Sequence, residues 1–184
     1  MNEKIKARVM DSRKIKRVLE RITTEIIERN RDLKNLVIIG IRTRGIYIGK
    51  RISKLIKNAE NIDIPVGVLD ITLYRDDFSE LEAQHMVKKT EIDFSVTNKN
   101  VILVDDVLFT GRTIRAAMDS LIDLGRPKTI QLLVLIDRGH RELPIRADYV
   151  GKYLPTSRRE IVHVKLKEID DKDEVLITEP SSLK

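Results

Sequence analysis

Three segments rich in apolar residues, separated by amphipathic segments, most limit how this chain can fold. They are Leu36 to Ile41, Val101 to Val104 and Thr129 to Ile136. The run Leu36 to Ile41 is apolar at every position, which is typical of a strand buried on both faces. A further strand is predicted between Pro65 and Leu73. Because these strands alternate with helical patterns, the sequence predicts an α/β fold with a mostly parallel sheet flanked by helices.

The helical segments follow from apolar periodicity and from residues that begin or end helices. Ser12 is predicted to cap a helix that runs to about Arg29. Two more helices are expected near residues 46–57 and from about Thr113 to Leu124. With no repeat, low-complexity tract or linker, one domain over residues 1–184 is expected. The residues of the third helix that are predicted to face the core are Ile114, Ala117, Met118, Leu121 and Ile122. Three shorter β-like pieces are predicted later in the chain, at residues 148–152, 161–166 and 175–178.

Composition excludes several classes of protein and leaves others open. The chain is 41% hydrophobic and 35% charged over 184 residues, as in an ordinary globular protein. No apolar run suits a membrane helix or a signal peptide, so the expected compartment is the cytoplasm, with no membrane partner. The absence of cysteine excludes disulfides and thiolate chemistry. A net charge of +6 permits nucleic acid or phosphate ligands, but a lysine- and glutamate-rich solvated surface gives the same charge.

The stretch VILVDDVLFTGRT, residues 101–113, combines features of a ligand site. Asp105 and Asp106 directly follow the apolar run, and ligands of parallel sheets lie beyond the carboxyl ends of strands. Residues 110–113 then form a tight turn onto a helix, whose N–H groups, hydroxyls and dipole suit an anion. Gly111 lets the backbone approach a ligand closely.

A sugar phosphate satisfies both halves of this stretch. Carboxylates accept hydrogen bonds from sugar hydroxyls, while the turn takes the phosphate. Asp105 and Asp106 also suit a hydrated Mg²⁺, held through water. The structural alternative is an acidic cap before an ordinary helix. Neither GxxxxGK[ST] nor GxGxxG, the competing phosphate-binding motifs, is present.

The same stretch resembles the phosphoribosyl-pyrophosphate motif of type I phosphoribosyltransferases. The resemblance implies their fold, with a flexible lid loop and a small hood, and Mg²⁺ with phosphoribosyl pyrophosphate. It implies that the acidic pair binds the ribose hydroxyls and that the loop binds the 5′-phosphate. The turn in GIRTRG, residues 40–45, takes the place of the family's pyrophosphate loop, although its arginines also suit a plain surface. The implied substrate-binding residues are Thr43, Arg44, Asp105, Asp106, Val107, Leu108, Phe109, Thr110, Gly111, Arg112 and Thr113.

A mostly polar segment between Tyr74 and Asn100 is long for a plain connection, which suits a lid. Arg75 at its base is predicted to close over the departing pyrophosphate and exclude water. The implied reaction is displacement of pyrophosphate from C1 of the ribose by a ring nitrogen, with Asp105, Asp106 and Arg75 as catalytic residues.

The acceptor base is indicated by position 109 and by longer runs. Purine-specific relatives carry an aspartate where Phe109 stands, so the phenyl ring favours a pyrimidine. The runs GIRTRGIYIGKR, DITLYRDD, VILVDDVLFTGRT and GRPKTIQLLVLIDRGHRELPIRADYVGKYLPTS together resemble one bacterial family, the bifunctional pyrimidine-operon attenuation regulators and uracil phosphoribosyltransferases. The resemblance implies that uracil and phosphoribosyl pyrophosphate give UMP, and that the chain forms a dimer or larger homo-oligomer. The implied uracil-binding residues are Phe109, Asp137, Arg138 and Val162.

The resemblance also implies binding of the pyrimidine-operon leader mRNA, favoured by UMP or UTP. Family members carry a histidine where Thr24 stands, which predicts altered RNA affinity. Aromatic residues are only 4% of the chain, which predicts little stacking surface. The alternatives are solvated charges and a plain uracil salvage enzyme without RNA regulation. The candidate RNA-binding residues are Arg17, Arg21, Thr24, Arg29, Arg141, Arg146 and Lys152.

Overall fold

Strands and helices alternate along the chain, as the apolar runs predict. The structure, a computed structural model, describes residues 3–72 and 90–180. A short 3₁₀ turn at Leu33–Asn35 precedes the second strand. The elements are β1 (Glu3–Met10), α1 (Ser12–Arg29), β2 (Leu36–Ile41), α2 (Arg44–Glu60), β3 (Val66–Leu69), β4 (Asn100–Leu108), α3 (Arg112–Asp123), β5 (Thr129–Asp137), β6 (Tyr149–Tyr153), β7 (Ile161–Lys165), α4 (Lys167–Asp170) and β8 (Glu174–Pro180).

A five-stranded parallel sheet forms the centre of the molecule, which confirms the predicted fold class. Its strand order is β3-β2-β4-β5-β6, and every neighbouring pair is parallel. From β2 the chain moves outward to β3, and from β4 it moves in the opposite direction to β5. The order therefore reverses between β2 and β4, and their carboxyl ends border the crevice where such sheets bind ligands.

The alternation of side chains along the buried strands divides the core into two clusters. Ile38 and Ile102 face one cluster, which α1, α2 and strands β7 and β8 complete. Val37 and Leu103 face the other, which α3 covers through side chains such as Leu121. Within residues 3–72 and 90–180, no helix has both the length and the apolar character needed to cross a membrane.

A second, antiparallel sheet in the order β1-β8-β7 forms the hood. Strand β1 is absent from the predicted elements, because charged residues interrupt the apolar character of the N-terminal segment. Its alternating Ile5, Ala7 and Val9 carry the period of two that could have identified it. Glu174 joins the hood strands, since its carboxylate is 2.7 Å from the Arg8 guanidinium and 3.4 Å from the Lys165 ammonium.

Three local predictions were wrong. Asp11, not Ser12, caps α1, and its carboxylate accepts a hydrogen bond from the Lys14 N–H at 2.8 Å. Ile122 is 59% exposed instead of facing the core. Asp105 and Asp106 lie within β4 and not after it, because pairing with β5 continues to Leu108. The carboxylates are therefore held by a sheet ladder rather than by a loop.

Candidate active site

The crevice between β2 and β4 brings two helix N-termini together. Helix α2 begins at Arg44 after β2, and α3 begins at Arg112 after β4. A Cβ added at Gly45 would lie 2.2 Å from the Val104 carbonyl oxygen, so α2 starts directly against β4. This close approach brings Arg44 near Asp106 of β4, where its charge opposes the rise that burial causes in the pKa of that carboxyl.

Neither of these helices is capped by the side chain of its N-cap residue, although the Thr110 hydroxyl accepts a long hydrogen bond of 3.4 Å from the Arg112 N–H of α3. Thr43 and Gly111 occupy the N-cap positions without a side-chain hydrogen bond, whereas Asp11 caps α1. Gly111 has φ of 92°, a left-handed conformation that favours glycine. The first N–H groups of a helix need partners, so uncapped N-termini suit anionic ligands. Both predicted phosphate loops therefore have backbone donors. A separate feature of the first loop is the cis peptide bond between Arg42 and Thr43.

The turn at residues 110–113 is held from behind by the segment that follows β5. The Thr110 carbonyl accepts hydrogen bonds from the N–H groups of Glu142 at 2.9 Å and Leu143 at 3.3 Å. The Glu142 carboxylate also accepts a bond from Arg112 Nε at 3.0 Å. The Arg112 side chain is thus engaged, which favours the backbone as the anion-binding part of this turn.

Asp105 and Asp106 form a compact acidic pair at the crevice. Asp105 is buried, and its carboxylate accepts a bond from the Asp106 N–H at 2.9 Å. Burial raises the pKa of Asp106 above its ordinary value, although a hydrogen bond with Asp105 and the charge of Arg44 act in the opposite direction. A ligand that donates hydrogen bonds or carries positive charge would therefore stabilise the ionised pair.

The two carboxylates of β4 have the donor chemistry to which a magnesium ion bound to substrate phosphates would fit. In the described part of the chain, no three histidine, aspartate or glutamate side chains form a metal cage. Mg²⁺ commonly binds through one or two carboxylates together with substrate phosphates. Asp105 and Asp106 provide those carboxylates.

The arginines of the β2–α2 turn are paired with carboxylates. Arg42 lies 3.3 Å from Glu91, and Arg44 donates to both oxygens of Asp170 at 3.0 and 3.3 Å. The Nε of Arg44 is buried and has no hydrogen-bond partner among the described residues. Helix α4 of the hood therefore positions the arginine that was predicted to bind pyrophosphate.

Phe109 lies at the end of the crevice predicted to bind the base. The Arg138 guanidinium lies 4.1 Å from the centre of the Phe109 ring. The centres of the His140 and Phe109 rings are 6.0 Å apart, and the two rings meet edge to face. One face of Phe109 is thus covered by an arginine. The buried Asp137 accepts a bond from the Gly139 N–H at 3.0 Å and pairs with Arg141.

Arg138 fastens this end of the sheet to the hood. Its guanidinium donates to the Thr156 hydroxyl at 3.0 Å and to the carbonyls of Ser157 and Glu160 at 3.0 and 2.6 Å. Val162 is buried in the core cluster beneath the hood, so contact with a base would come from its backbone. Their roles in binding uracil remain predictions.

Some predicted site residues serve packing or lie outside the described ranges. Val107 packs against the cluster that contains Val162, and Leu108 is buried in the cluster on the other face of the sheet. Leu108 can therefore offer a ligand only its backbone groups, whereas Val107 is partly exposed. Arg75 and most of the predicted lid fall in residues 73–89, outside the described residues.

Most of the predicted RNA-binding residues meet on one surface formed by α1 and β6. Arg21 donates to the carbonyls of Val150 and Gly151, each at 2.9 Å. Arg29 pairs with Asp148 at 2.8 Å. Arg17 and Lys152 line one groove of about 270 Å³. Thr24 and Arg146 are exposed, and Arg141 lies apart, beside Asp137.

Sequence reasoning missed the carboxylates that hold the cationic side chains of the site. Asp170 and Glu142 are distant in sequence from the arginines they bind. No motif spacing marks them, because the pairs form only after the hood and the β5–β6 connection fold over the crevice.

Comparisons with known proteins agree with this architecture. The model of the phosphoribosyl transferase domain family matches residues 7–169. The hypoxanthine phosphoribosyltransferase of Staphylococcus aureus superposes with a TM-score of 0.72 at 19% identity, over 97% of this chain and 96% of that one. The Trypanosoma cruzi hypoxanthine phosphoribosyltransferase gives a TM-score of 0.73 at 15% identity, over 96% and 98%. At such identities the likeness concerns the fold alone.

Relatives of much higher identity share a single name, "Bifunctional protein PyrR". The protein of Clostridioides difficile is 58% identical over 95% of this chain and 98% of its own. That of Pelotomaculum thermopropionicum is 59% identical over 95% and 96%. That of Deinococcus radiodurans is 56% identical over 97% of each chain.

Proposed function

The chain belongs to the phosphoribosyl transferase domain family and, within it, to the bifunctional PyrR proteins, and we propose that it both makes UMP and controls the pyrimidine operon. As an enzyme it is a uracil phosphoribosyltransferase, which converts uracil and phosphoribosyl pyrophosphate to UMP and pyrophosphate. As a regulator it binds the leader mRNA in response to UMP or UTP and promotes termination of transcription in the cytoplasm. We further propose that it works as a dimer or larger homo-oligomer.

The observation that carries the enzymatic proposal is the pair of uncapped helix N-termini beside an acidic pair. The α3 N-terminus suits a 5′-phosphate and the α2 N-terminus suits a pyrophosphate. Asp105 and Asp106 lie on β4, which pairs with β2, the strand that leads into α2, and in our proposal they accept bonds from the ribose hydroxyls. A phosphorylated ribose that carries pyrophosphate satisfies all three parts at once.

In the reaction, a ring nitrogen of uracil forms a bond to C1 of the ribose, loses its proton, and displaces pyrophosphate. Asp105 and Asp106 hold the ribose so that its reactive carbon is fixed in orientation. Their negative charge also favours the positive charge that develops on the sugar. Asp105 and Asp106 are the residues that would help to hold Mg²⁺ through water, and the ion would neutralise charge on the pyrophosphate. Arg44 and, in our proposal, Arg75 stabilise the leaving group.

Base selection rests on the end of the crevice around Phe109. Arg138 covers one face of this ring, so a flat pyrimidine packs on the opposite face. The backbone around Asp137 and Val162 then reads the edge of the base. Arg138 fixes the hood loop, the connection of residues 154–160 between β6 and β7, so these backbone groups are held in place before uracil binds.

The regulatory proposal is supported by the cationic surface of α1 and β6. Arg17 and Lys152 line one groove there, and Arg146 is exposed in the segment that leads into β6. Such side chains suit RNA phosphates. The competing function, a plain uracil salvage enzyme, is favoured by Thr24, which occupies a position where an imidazole stands in other family members.

Two measurements on the purified protein test the proposal. Transfer is measured with labelled uracil and phosphoribosyl pyrophosphate in Mg²⁺, and RNA binding by titration with the pyrimidine leader transcript at fixed salt, with and without UMP. We expect UMP formation and tight RNA binding that UMP strengthens. UMP formation with weak, UMP-indifferent RNA binding would leave the salvage enzyme as the function.

Arg146→Ala separates the two activities. The variant should weaken RNA binding and reduce the salt dependence of log K by about one, because one phosphate contact is lost. Transfer should stay near the wild-type rate. Arg126→Ala is the matched control, since Arg126 is exposed at the other end of the sheet, before β5. Equal RNA affinity of Arg146→Ala and wild type at matched salt would contradict the assigned surface.

A further inference from the structure

A cavity of about 360 Å³ opens where β5 and β6 end, and through Asp137 and Arg138 it adjoins the part of the crevice predicted to bind uracil. Its walls include Asp137, Arg138, His140, Arg141, Tyr153 and Thr156. The strand pairing explains how they meet, because Asp137 and Tyr153 are register partners at the ends of adjacent parallel strands.

Tyr153 gives this cavity an aromatic wall that is open to solvent. The side chain is 66% exposed, and no other aromatic residue among the described ones is a large exposed hydrophobic. A single exposed aromatic is ordinary on a protein surface. Tyr153 differs because it borders a concave site, where a planar ligand can lie against its ring.

The other walls of the cavity are already fixed by internal contacts. Arg138 is bound to the hood loop and to Phe109, and the His140 ring bonds to the Thr156 carbonyl. Asp137 is buried and paired with Arg141, so the one carboxylate of the lining is neutralised. The ring of Tyr153 therefore faces a pre-formed opening.

Positive charge lies in the cavity and near it. Arg138 and Arg141 are among its lining residues, and Lys152, which lines the separate groove with Arg17, directly precedes Tyr153 in β6. Arg158 and Arg159, both exposed, follow Thr156 in the hood loop. An aromatic platform flanked by cations is the arrangement with which proteins bind unpaired bases and the adjoining phosphates of RNA.

We propose that Tyr153 stacks on an unpaired base of the bound RNA, which enters this cavity while neighbouring phosphates lie along Lys152 and Arg17. This inference rests on the proposed RNA-binding function and deepens it. It assigns to the RNA a single-stranded nucleotide at the β5–β6 end, in addition to the phosphate contacts of α1. The cavity then acts as the base-reading part of a surface that is otherwise electrostatic.

The test compares Tyr153→Ala and Tyr153→Phe with wild type and with Ile122→Ala. Ile122 is a matched control, because it is 59% exposed on α3, on the other face of the sheet. The probes are the leader RNA hairpin with 2-aminopurine in its loop and a fully paired RNA duplex, both at fixed salt with UMP. Binding is followed by anisotropy and base stacking by 2-aminopurine fluorescence.

Loss of stacking on one base should weaken hairpin binding of Tyr153→Ala about tenfold or more. Tyr153→Phe should bind as wild type, because the ring and not the hydroxyl makes the contact. Duplex affinity should not change in either variant, and Ile122→Ala should bind both probes as wild type does.

The outcomes against the inference are distinct from those against the proposed function. Equal hairpin affinity of Tyr153→Ala and wild type would overturn the stacking site alone. Equal losses in the alanine and phenylalanine variants would also overturn it, since a hydroxyl contact would then be responsible. A wild-type protein that binds no leader RNA would overturn the regulatory function itself.

Discussion

The crevice and the hood each contain buried carboxylates, but their electrostatic environments are opposite. In the hood, Glu174 has cations from three segments around it, with the Lys172 and Arg8 nitrogens each at 2.7 Å. Chiefly through the hydrogen bond with Lys172, its pKa is lowered to about 2. In the crevice, burial raises the pKa of Asp106. One carboxylate has its charge satisfied within the protein, and the other does not.

The same contrast applies to backbone groups. Helix α1, which supports the core, is capped by Asp11, whereas α2 and α3 begin at the crevice without a side-chain cap. Uncompensated charges and donors reduce stability, and binding sites commonly retain them. The crevice is thus a part of the molecule whose polar groups are completed by ligands, whereas the N-terminus of α1 and the charge of Glu174 find their partners within the protein.

The largest expected effect comes from removing the crevice charges. Asp105→Asn with Asp106→Asn should lower kcat/KM for transfer by about 100- to 1000-fold, because the ribose loses its acceptors and its favourable charge. The melting temperature should not fall, since a neutral amide is less costly to bury than a charge. Steady-state transfer assays and thermal unfolding measure the two effects.

Asp119→Asn provides the control for this variant. Asp119 lies on α3 in an exposed ion pair with Arg115 at 3.2 Å, and its neutralisation should leave transfer unchanged. Full activity of the double variant would contradict the site assignment. A large fall in its melting temperature would show that the crevice carboxylates are structural, as Glu174 is.

The parallel sheet was predictable because its information is local and redundant. The run Leu36–Ile41 coincides with β2, since six successive buried positions leave no alternative pattern. The edge strand β3 was predicted too long, at Pro65 to Leu73 against Val66–Leu69, because an apolar run does not show where pairing ends. The length of β4 was also missed, since Asp105 and Asp106 are poor strand formers held there by β5.

The candidate site was predictable in its motifs but not in its supporting contacts. The strand, acidic pair and turn of residues 101–113 are contiguous, so their chemistry can be read directly. The bond from Arg44 to Asp170 joins residues 126 positions apart, and that from Arg138 to Glu160 depends on where the hood settles. Tyr153 was missed because exposure of an aromatic ring is a property of the folded surface, not of composition.

A smaller effect is expected from neutralising the hood carboxylate. Glu174→Gln should lower the free energy of unfolding near pH 7 by about 1 to 2 kcal/mol, because three cations lose their common partner. Transfer should remain close to wild type. Urea unfolding measures the difference, with Glu20→Gln as the control, whose exposed pair with Lys16 spans 3.9 Å. Unchanged stability of Glu174→Gln would remove the distinction between the two regions.

The smallest effect is a difference in how the two regions respond to acid. The folded pKa of Glu174, about 2, lies below its ordinary value of 4.5, so its stabilisation is complete above pH 4.5 and disappears as the pH falls toward 2. The difference in the free energy of unfolding between wild type and Glu174→Gln should therefore narrow only in that interval.

For Asp106 the sign of the pH dependence is opposite, because a raised pKa means that the folded state takes up the proton first. Acidification should therefore relieve a cost at the crevice while it removes a stabilising contact in the hood. Urea unfolding of wild type, Glu174→Gln and the Asp105→Asn, Asp106→Asn variant from pH 7 to pH 3 measures both slopes, and slopes of the same sign would contradict the electrostatic contrast.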